Sequence, residues 1–372
     1  MLKKIMITLI FALSLLPASA FAHGTSEEHQ REMALNTYML IGSGILFVLL
    51  FVLYLVTKNR IKGLVPKVIK WGWILSLVGV LISGGMFLWG NRTSVSAETT
   101  LHHIHGLGYS SDGKRIFIPA HDGLRVYSQG QWKTPDGAKH DYMGFSMVDD
   151  GFYSSGHPAP GSNLKEPLGI VKSTDEGKTI KALDLAGETD FHGMSVGYKT
   201  HTIYVFNPAP NSKMKSPGMY YTKDETKTWV KSEMKGLNED LSALVVHPSK
   251  EAVVTVGTQN GVYVSKDYGQ NFENVVSDIQ VTSLFFNNEG ALFVGGIKKE
   301  PLLLQVDVES GKTVEINLPD LKEDAVTYVA QNPVNENELV FATYKKDVYL
   351  SGDKGQSWKK IADQGKGIAK TS

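Results

Sequence analysis

A short motif recurs through the last two-thirds of this 372-residue chain and limits the possible fold more than any other feature. It reads Ser/Thr-x-Asp-x-Gly/Thr, with a Trp, Phe or Ile three residues after the Gly position. Clear copies begin at Ser173, Thr222, Ser265 and Ser351, so successive copies lie 49, 43 and 86 residues apart. Because 86 is twice 43, we expect one further unit between the last two copies.

The missing unit and an additional first unit can both be found in weaker form. Residues 306–313 fall where the hidden copy should lie, and residues 126–132 form a degenerate first copy. Each motif follows two short runs typical of β-strands, as at 252–256 and 261–264. Six units of about 45 residues with four strands each are the count of a six-bladed β-propeller. We therefore predict an all-β propeller domain over residues 98–366.

The motif itself has a structural explanation. The Asp can accept hydrogen bonds from turn N–H groups, while the Gly takes a positive φ. The aromatic residue then begins the next strand and packs between blades. The four copies resemble the Asp box of sialidase- and sortilin-type (BNR-repeat) propellers, and residues 101–365 are similar to bacterial propeller proteins labelled glycosyl hydrolases because of their fold. This resemblance implies a fold and not a chemistry, because the boxes are structural turns.

The first hundred residues indicate export and membrane attachment. Residues 1–22 have the pattern of a signal peptide cleaved after Ala22; an uncleaved signal anchor is the alternative. After a short extracytoplasmic segment (23–35), two long apolar stretches predict transmembrane helices over 36–56 and 71–91. The loop between them, 57–70, carries only basic charges and is therefore predicted to be cytoplasmic.

This topology predicts a plasma-membrane protein held by a two-helix hairpin, with its propeller on the extracytoplasmic side. Composition excludes several classes of function. The chain has no cysteine, so it has no disulfide, thiolate metal site, iron–sulfur cluster or cysteine nucleophile. Beyond residue 100 there are 29 Lys/Arg against 34 Asp/Glu, and this acidic balance argues against nucleic-acid binding.

The sialidase resemblance implies a catalytic site that this chain lacks. Sialidase-like enzymes clamp the substrate carboxylate with three arginines, but only Arg115 and Arg125 lie beyond residue 100. Sialidase activity is therefore excluded. Another glycan hydrolase or lyase would need only a pair of carboxylates. The candidates, all in predicted loops or strand starts, are Asp122, Asp141, Glu166 and Asp190. The alternative is that they are ordinary loop acids.

The histidines give the most specific functional signal. In a propeller, the links between blades and the loops between the second and third strands open on one face. Three adjacent blades place their histidines there by this rule, whereas His201 and His247 fall at turns on the opposite face. The predicted core of a metal site is His105, His121, His157 and His192. The residues of second rank are His103, His140, Met143 and Met194.

Imidazole is a common ligand of zinc and copper, and the two methionines could add soft ligands for Cu(I). Asp122 and Asp190 could ligate the ion or orient a ring. The alternative is that each histidine hydrogen-bonds its own loop and the methionines fill the channel. A cleaved N-terminus at His23, with His29 nearby, could chelate copper separately.

The sequence thus favours a membrane-anchored propeller that binds a ligand, with copper or zinc as candidates, at a histidine-rich rim. Two alternatives stay open. One is an enzyme acting on an extracellular glycan, and the other is a sortilin-like scaffold that binds envelope proteins.

Overall fold

The computed structural model describes residues 99–368 without a gap and only isolated positions between residues 41 and 77. The chain divides into two compact units, Met1–Val95 and Ser96–Ser372. No helix within the described part of the chain combines the length and hydropathy needed to cross a membrane. The predicted signal peptide and basic loop lie outside the described residues, and the two predicted transmembrane helices lie mostly outside them. These four assignments stay predictions.

The described part of the second unit contains 25 strands in six antiparallel sheets. The first sheet contains β1 (Gly108–Tyr109), β2 (Ile116–Ala120), β3 (Gly123–Ser128) and β4 (Gln131–Lys133). The second contains β5 (Asp141–Val148), β6 (Gly151–His157), β7 (Ile170–Ser173) and β8 (Lys181–Asp184). The third contains β9 (Met194–Val196), β10 (Ile203–Asn207), β11 (Gly218–Thr222) and β12 (Val230–Lys231).

The remaining three sheets repeat this order. The fourth contains β13 (Ala243–Val246), β14 (Val254–Gly257), β15 (Gly261–Ser265) and β16 (Glu273–Ser277). The fifth contains β17 (Gln280–Phe286), β18 (Leu292–Ile297), β19 (Pro301–Val306) and β20 (Thr313–Ile316). The sixth contains β21 (Val326–Asn332), β22 (Asn335–Thr343), β23 (Val348–Ser351), β24 (Lys359–Asp363) and β25 (Lys366–Gly367).

The six sheets form a closed ring. The first strand of each sheet contacts the first strand of the next, in the order β1, β5, β9, β13, β17 and β21, and β21 returns to contact β1. Hydrophobic side chains fill the spaces between neighbouring sheets: Tyr153 and Ile170 of the second sheet pack with Val196 and Ile203 of the third. The predicted all-β, six-bladed propeller is confirmed.

The ring is closed by hydrogen bonds between its first and last residues. Leu101 N donates to Gly365 O at 2.6 Å, and Gly367 N donates to Thr99 O at 2.8 Å. In addition, Trp132 Nε1 in the first blade donates to Ile361 O in the last blade at 2.7 Å. Residues 99–101, at the start of the propeller, therefore pair with the outer edge of the sixth blade.

The four clear motif copies form the same hydrogen-bonded turn. At Ser351, the hydroxyl accepts from Gly355 N at 2.8 Å and donates to Asp353 Oδ1 at 2.7 Å, and Ser357 N donates to the same carboxylate oxygen at 2.9 Å. Equivalent bonds occur around Ser173, Thr222 and Ser265. The fifth unit differs, since Asp307 Oδ1 accepts from Glu309 N and Ser310 N.

The aromatic residue after the motif reaches back to the preceding blade. Trp358 Nε1 donates to Asn317 O at 2.7 Å, and Trp229 Nε1 donates to Asp184 Oδ2 at 3.1 Å. Each of these turns therefore supports a blade interface, and the regular interfaces hold the inner strands at fixed positions around the channel.

Candidate metal centre

A short backbone bridge brings the histidines of the first blade together. His105 N donates to Pro119 O at 3.0 Å, and His121 N donates to His102 O at 2.8 Å. The segment before β1 therefore lies against the loop between β2 and β3. This loop faces the start of β5, whose first residue is Asp141.

Asp141 is the centre of the first group of potential ligands. Its side chain is only 8% exposed, and its Oδ2 lies 2.7 Å from His121 Nδ1. Its Oδ1 lies 3.6 Å from His105 Nε2, beyond hydrogen-bond distance. Both of these facing atoms are buried and have no hydrogen-bond partner among residues 99–368. The three side chains bring one ligand atom each within 4.8 Å of one another.

The surroundings favour a neutral imidazole at His105. Burial lowers the pKa of His105, Asp141 opposes this effect, and His103, His121 and His192 add to the lowering. Its ring centroid is 6.3 Å from that of His103 and 6.2 Å from that of His121. A neutral imidazole is the form that binds a metal ion.

Asp190 is the centre of a second group. Its Oδ2 lies 2.8 Å from His192 Nε2 and 3.3 Å from His157 Nε2. The other ring nitrogen of His157, Nδ1, is hydrogen-bonded to Glu166. This hydrogen bond, together with the charges of Asp190, Glu166 and Asp141, raises the pKa of His157 against the effect of burial. Ser155 donates to the second oxygen of Asp190 at 3.4 Å.

The two groups are neighbours on one face of the ring. Asp141 and His157 are register partners across β5 and β6, so their side chains stand next to each other. We call the end of the ring that carries both groups the histidine face. The four predicted core histidines lie on this face, but they form two pairs around two carboxylates, Asp141 and Asp190.

The residues of second rank have different environments. His103 lies beside the first group, with its ring centroid 6.0 Å from that of His121. His140 is buried, and its Nδ1 accepts a hydrogen bond from Ala159 N at 2.9 Å, so it supports the loop between β6 and β7. Met194 belongs to the hydrophobic cluster between the second and third blades. Met143 is also buried, and we leave both methionines out of the ligand set.

The four candidate catalytic carboxylates are all paired with positively charged or imidazole groups. Asp122 Oδ2 lies 2.6 Å from Nη2 of Arg125, whose guanidinium is buried. Asp141, Glu166 and Asp190 bind the histidines described above. From the sequence, Asp141 and Glu166 were candidates for catalysis only. The pairing of Glu166 with His157 could have been suspected from its position in the loop that follows His157, whereas no nearby residue signals the histidine partners of Asp141.

A second His-Asp cluster lies at the other end of the ring. His201 Nε2 is 2.7 Å from Asp149 Oδ1 and 3.7 Å from Asp150 Oδ1. The Lys172 ammonium lies 2.8 Å from Asp150 Oδ2 and already compensates that carboxylate. We therefore treat this exposed cluster as a network of ion pairs.

The histidine face opens onto the central channel. The channel has a volume of about 1120 Å³, and the inner strands of all six blades contribute to its wall. His105 and His192 line it, together with Phe206, which is 38% exposed. A metal ion held at His105 would thus face a space large enough for water or a small ligand.

Comparisons with known proteins agree with the coarse assignment. No protein-family model matches this chain. Sortilin from Danio rerio is 29% identical over 113 residues, which are 28% of this chain and 14% of that protein. The chain thus spans a small part of this relative. The predicted resemblance to sortilin-type propellers is supported only by this weak similarity over 113 residues.

Solved propeller-like structures show low sequence identity. The GH74 enzyme of Niastella koreensis is 13% identical, with a TM-score of 0.48 over 71% of this chain and 46% of that chain. YCF48 from Cyanidioschyzon merolae is 11% identical, with a TM-score of 0.42 over 73% of this chain and 88% of that chain. The assignment of the fold rests on the closed ring of six sheets described above.

Proposed function

We propose that the propeller binds one divalent transition-metal ion between His105 and Asp141 on the histidine face. The observation that supports this proposal is the pair of buried atoms, His105 Nε2 and Asp141 Oδ1, which face each other at 3.6 Å without hydrogen-bond partners among residues 99–368. Ligand bonds of about 2.1 Å in a tetrahedral site place two ligand atoms roughly 3.4 Å apart. The observed separation fits this value.

His121 is the third residue of the proposed site. Its Nδ1 binds the other oxygen of Asp141, and its side chain is 65% exposed, so its ring can rotate without disturbing the core. It can therefore ligate the ion directly or orient the Asp141 carboxylate through its hydrogen bond to Oδ2. His103, the next imidazole of this group, is available as the third ligand where His121 orients the carboxylate instead.

The donor atoms restrict the choice of metal. Imidazole nitrogen and carboxylate oxygen suit Zn²⁺ and Cu²⁺, and the chain offers no thiolate. Two or three protein ligands leave at least one coordination position open towards the channel. An open position is the property that separates a site able to bind a further ligand from a purely structural one.

Titration calorimetry of the purified full chain with ZnCl₂, and separately with CuCl₂, tests the proposal. The background carries His23→Ala and His29→Ala, so that the residues near the predicted N-terminus do not contribute. We expect His105→Ala to lose an ion that the parent binds. The matched control is His201→Ala, which removes a histidine paired with a carboxylate at the other end of the ring. Equal binding by the parent and His105→Ala would contradict the proposal.

The two alternative functions have less support. A glycan hydrolase is suggested only by the resemblance of the repeat motif, and each of the four candidate carboxylates contacts Arg125 or a histidine. A protein-binding scaffold is suggested only by the local similarity to sortilin. We therefore favour metal binding over a glycan hydrolase and over a protein-binding scaffold.

We also propose that residues 36–56 and 71–91 anchor the protein in the plasma membrane, with the propeller on the extracytoplasmic side. The support comes from the apolar stretches and the basic loop between them. Reporter fusions at residue 64 and after residue 372 test this topology. We expect a cytoplasmic reporter to be active only at the first position and an extracytoplasmic reporter only at the second.

A further inference from the structure

The apolar wall of the central channel is not explained by the metal ligands. The channel has a volume of about 1120 Å³, and five of the six blades present partly buried apolar side chains to it. These side chains are Leu107, Phe145, Met147, Leu244, Phe285 and Tyr328. A cavity of this size, lined by apolar and aromatic groups with a few polar groups at one end, is typical of a small-molecule site.

The polar groups of the channel are either hydrogen-bonded or lie at its rim. Thr282 Oγ1 donates to Val326 O at 2.6 Å, and Thr327 Oγ1 donates to Ala342 O at 3.1 Å. Histidines aside, the charged residues among 99–368 that line the channel all come from the link 232–242 between β12 and β13, and they are Glu233, Lys235, Glu239 and Asp240. Because links between blades open on the histidine face, these charges surround the mouth, and the wall beyond it suits an apolar group.

Phe206 brings an exposed aromatic ring to the metal end of this channel. It is 38% exposed, whereas the residues on either side of it in β10 are fully buried. Phe206 N donates to Gly193 O at 2.7 Å, and a Cβ added at Gly193 would lie 3.1 Å from Phe206 Cβ. Gly193 directly follows His192, which lines the channel together with His105. Phe206 thus offers an apolar contact to a molecule bound on the channel side of His105.

We infer that the metal-loaded propeller binds a small carboxylate with an apolar body, whose carboxylate ligates the ion at Asp141 and whose body fills the channel beside Phe206. This inference rests on the proposed function, because it assigns the open coordination position. Charge supports a carboxylate: a divalent ion with Asp141 as its anionic protein ligand keeps one net positive charge, which one bound carboxylate neutralises. Carboxylate oxygen is also a usual ligand of Zn²⁺.

Titration of the zinc-loaded full chain with a series of straight-chain carboxylates tests this inference. The protein carries His23→Ala and His29→Ala, and free Zn²⁺ is removed by gel filtration before calorimetry. The probes are acetate, butyrate, hexanoate and octanoate. We expect the affinity to rise about threefold to fourfold with each methylene that the channel buries. The EDTA-treated protein should bind octanoate at least about tenfold more weakly, because the charged partner of the carboxylate is missing.

Phe206→Ser and Leu244→Gln test the channel at two positions. Each replaces a partly exposed apolar side chain with a polar one, so the ratio of octanoate affinity to acetate affinity should fall about fivefold or more. Val314→Ser is the matched control, because Val314 is 64% exposed on β20 and lies outside the channel lining. It should keep the ratio of the parent. The zinc content and a thermal unfolding curve of each variant show that the ion and the propeller are retained.

The outcomes separate this inference from the proposed function. A parent that binds zinc but has equal affinities for acetate and octanoate, or binds neither, would overturn the carboxylate site and leave the metal site. Octanoate bound equally with and without zinc would also overturn the inference, because the ion would not hold the carboxylate. An unchanged affinity ratio in both channel variants would do the same. A parent that binds no zinc would overturn both proposals.

Discussion

His105 Nε2 and Asp141 Oδ1 face each other at 3.6 Å in the wall of the ring, and neither has a hydrogen-bond partner among residues 99–368. An unsatisfied buried polar atom costs about 1–3 kcal/mol. Each such atom in a native protein needs an explanation, and a bound ion is one of those known. A cation between the two atoms would satisfy both, and this relationship leads to the first two predictions.

The variant Asp141→Asn should separate metal binding from stability. We expect its affinity for Zn²⁺ to fall at least tenfold, because a charged ligand is lost. In the presence of a chelator it should be as stable as the parent or more stable by about 1 kcal/mol, because the amide can donate to His105 Nε2. Calorimetry and urea unfolding measure the two effects. Asp149→Asn, at the opposite end of the ring, is the control. A loss of stability without a loss of affinity would contradict the proposed site.

Removing the metal should lower the stability of the whole propeller. A ligand at 100 times its Kd stabilises the native state by about 2.7 kcal/mol, which corresponds to a rise in Tm of roughly 5–10 °C for a domain of this size. Differential scanning calorimetry of the full chain with ZnCl₂, and then with excess EDTA, checks this shift. His105→Ala should show the same Tm in both conditions. A parent protein with the same Tm in ZnCl₂ and in EDTA would contradict metal binding.

Gly355 should tolerate no side chain, in contrast to its neighbour Gly352. Gly355 has a φ of +83°, and an added Cβ would lie 2.3 Å from Ile316 Cγ2 in the preceding blade. We expect Gly355→Ala to cost about 2 kcal/mol or more in the free energy of unfolding. Gly352 has open space around the position of a Cβ, so Gly352→Ala should stay within about 0.5 kcal/mol of the parent. Urea unfolding of both variants compares them, and equal stabilities would show that the turn is not constrained.

His247 should make the propeller sensitive to mild acid. Its Nδ1 accepts from Ser249 N and Lys250 N, each at 3.2 Å, and burial followed by the charge of Lys250 lowers its pKa to about 4. The folded pKa is therefore below the unfolded value of about 6.5. The native state stays neutral while the unfolded state binds a proton. The stabilisation is complete above pH 6.5 and is lost as the pH falls towards 4, by about 1.4 kcal/mol per pH unit.

The variant His247→Asn isolates this effect. Its amide oxygen can accept the same two backbone hydrogen bonds but does not titrate in this range. Urea unfolding of both proteins between pH 7 and pH 4 should give a steeper decline for the parent. Parallel curves would show that His247 does not carry the dependence.

The blades could be predicted from the sequence because the information for each turn is local. The hydroxyl of Ser351, the Asp353 carboxylate and the Gly355 N–H all lie within five residues, so the motif is visible in a single stretch. The face that carries the histidines followed from the order of strands in a blade. Neither inference needs a distance between side chains.

The arrangement within that face could not be predicted, because it depends on contacts between blades. Asp141 receives His105 and His121 from another blade, and no short-range pattern specifies these pairs. His140 is one residue away from Asp141, but it is buried and its Nδ1 accepts from Ala159 N in the loop between β6 and β7, which takes it away from the Asp141 group. The sequence makes Met194 a candidate ligand, but its side chain packs in the hydrophobic cluster between the second and third blades.

The hydrogen bonds from Leu101 to Gly365 and from Gly367 to Thr99 have a consequence for biosynthesis. The ribosome makes the first partner of each bond more than 260 residues before the second, so the ring cannot close until residue 367 has been synthesised. Until then, the side of the first blade that packs against the sixth blade stays exposed to solvent.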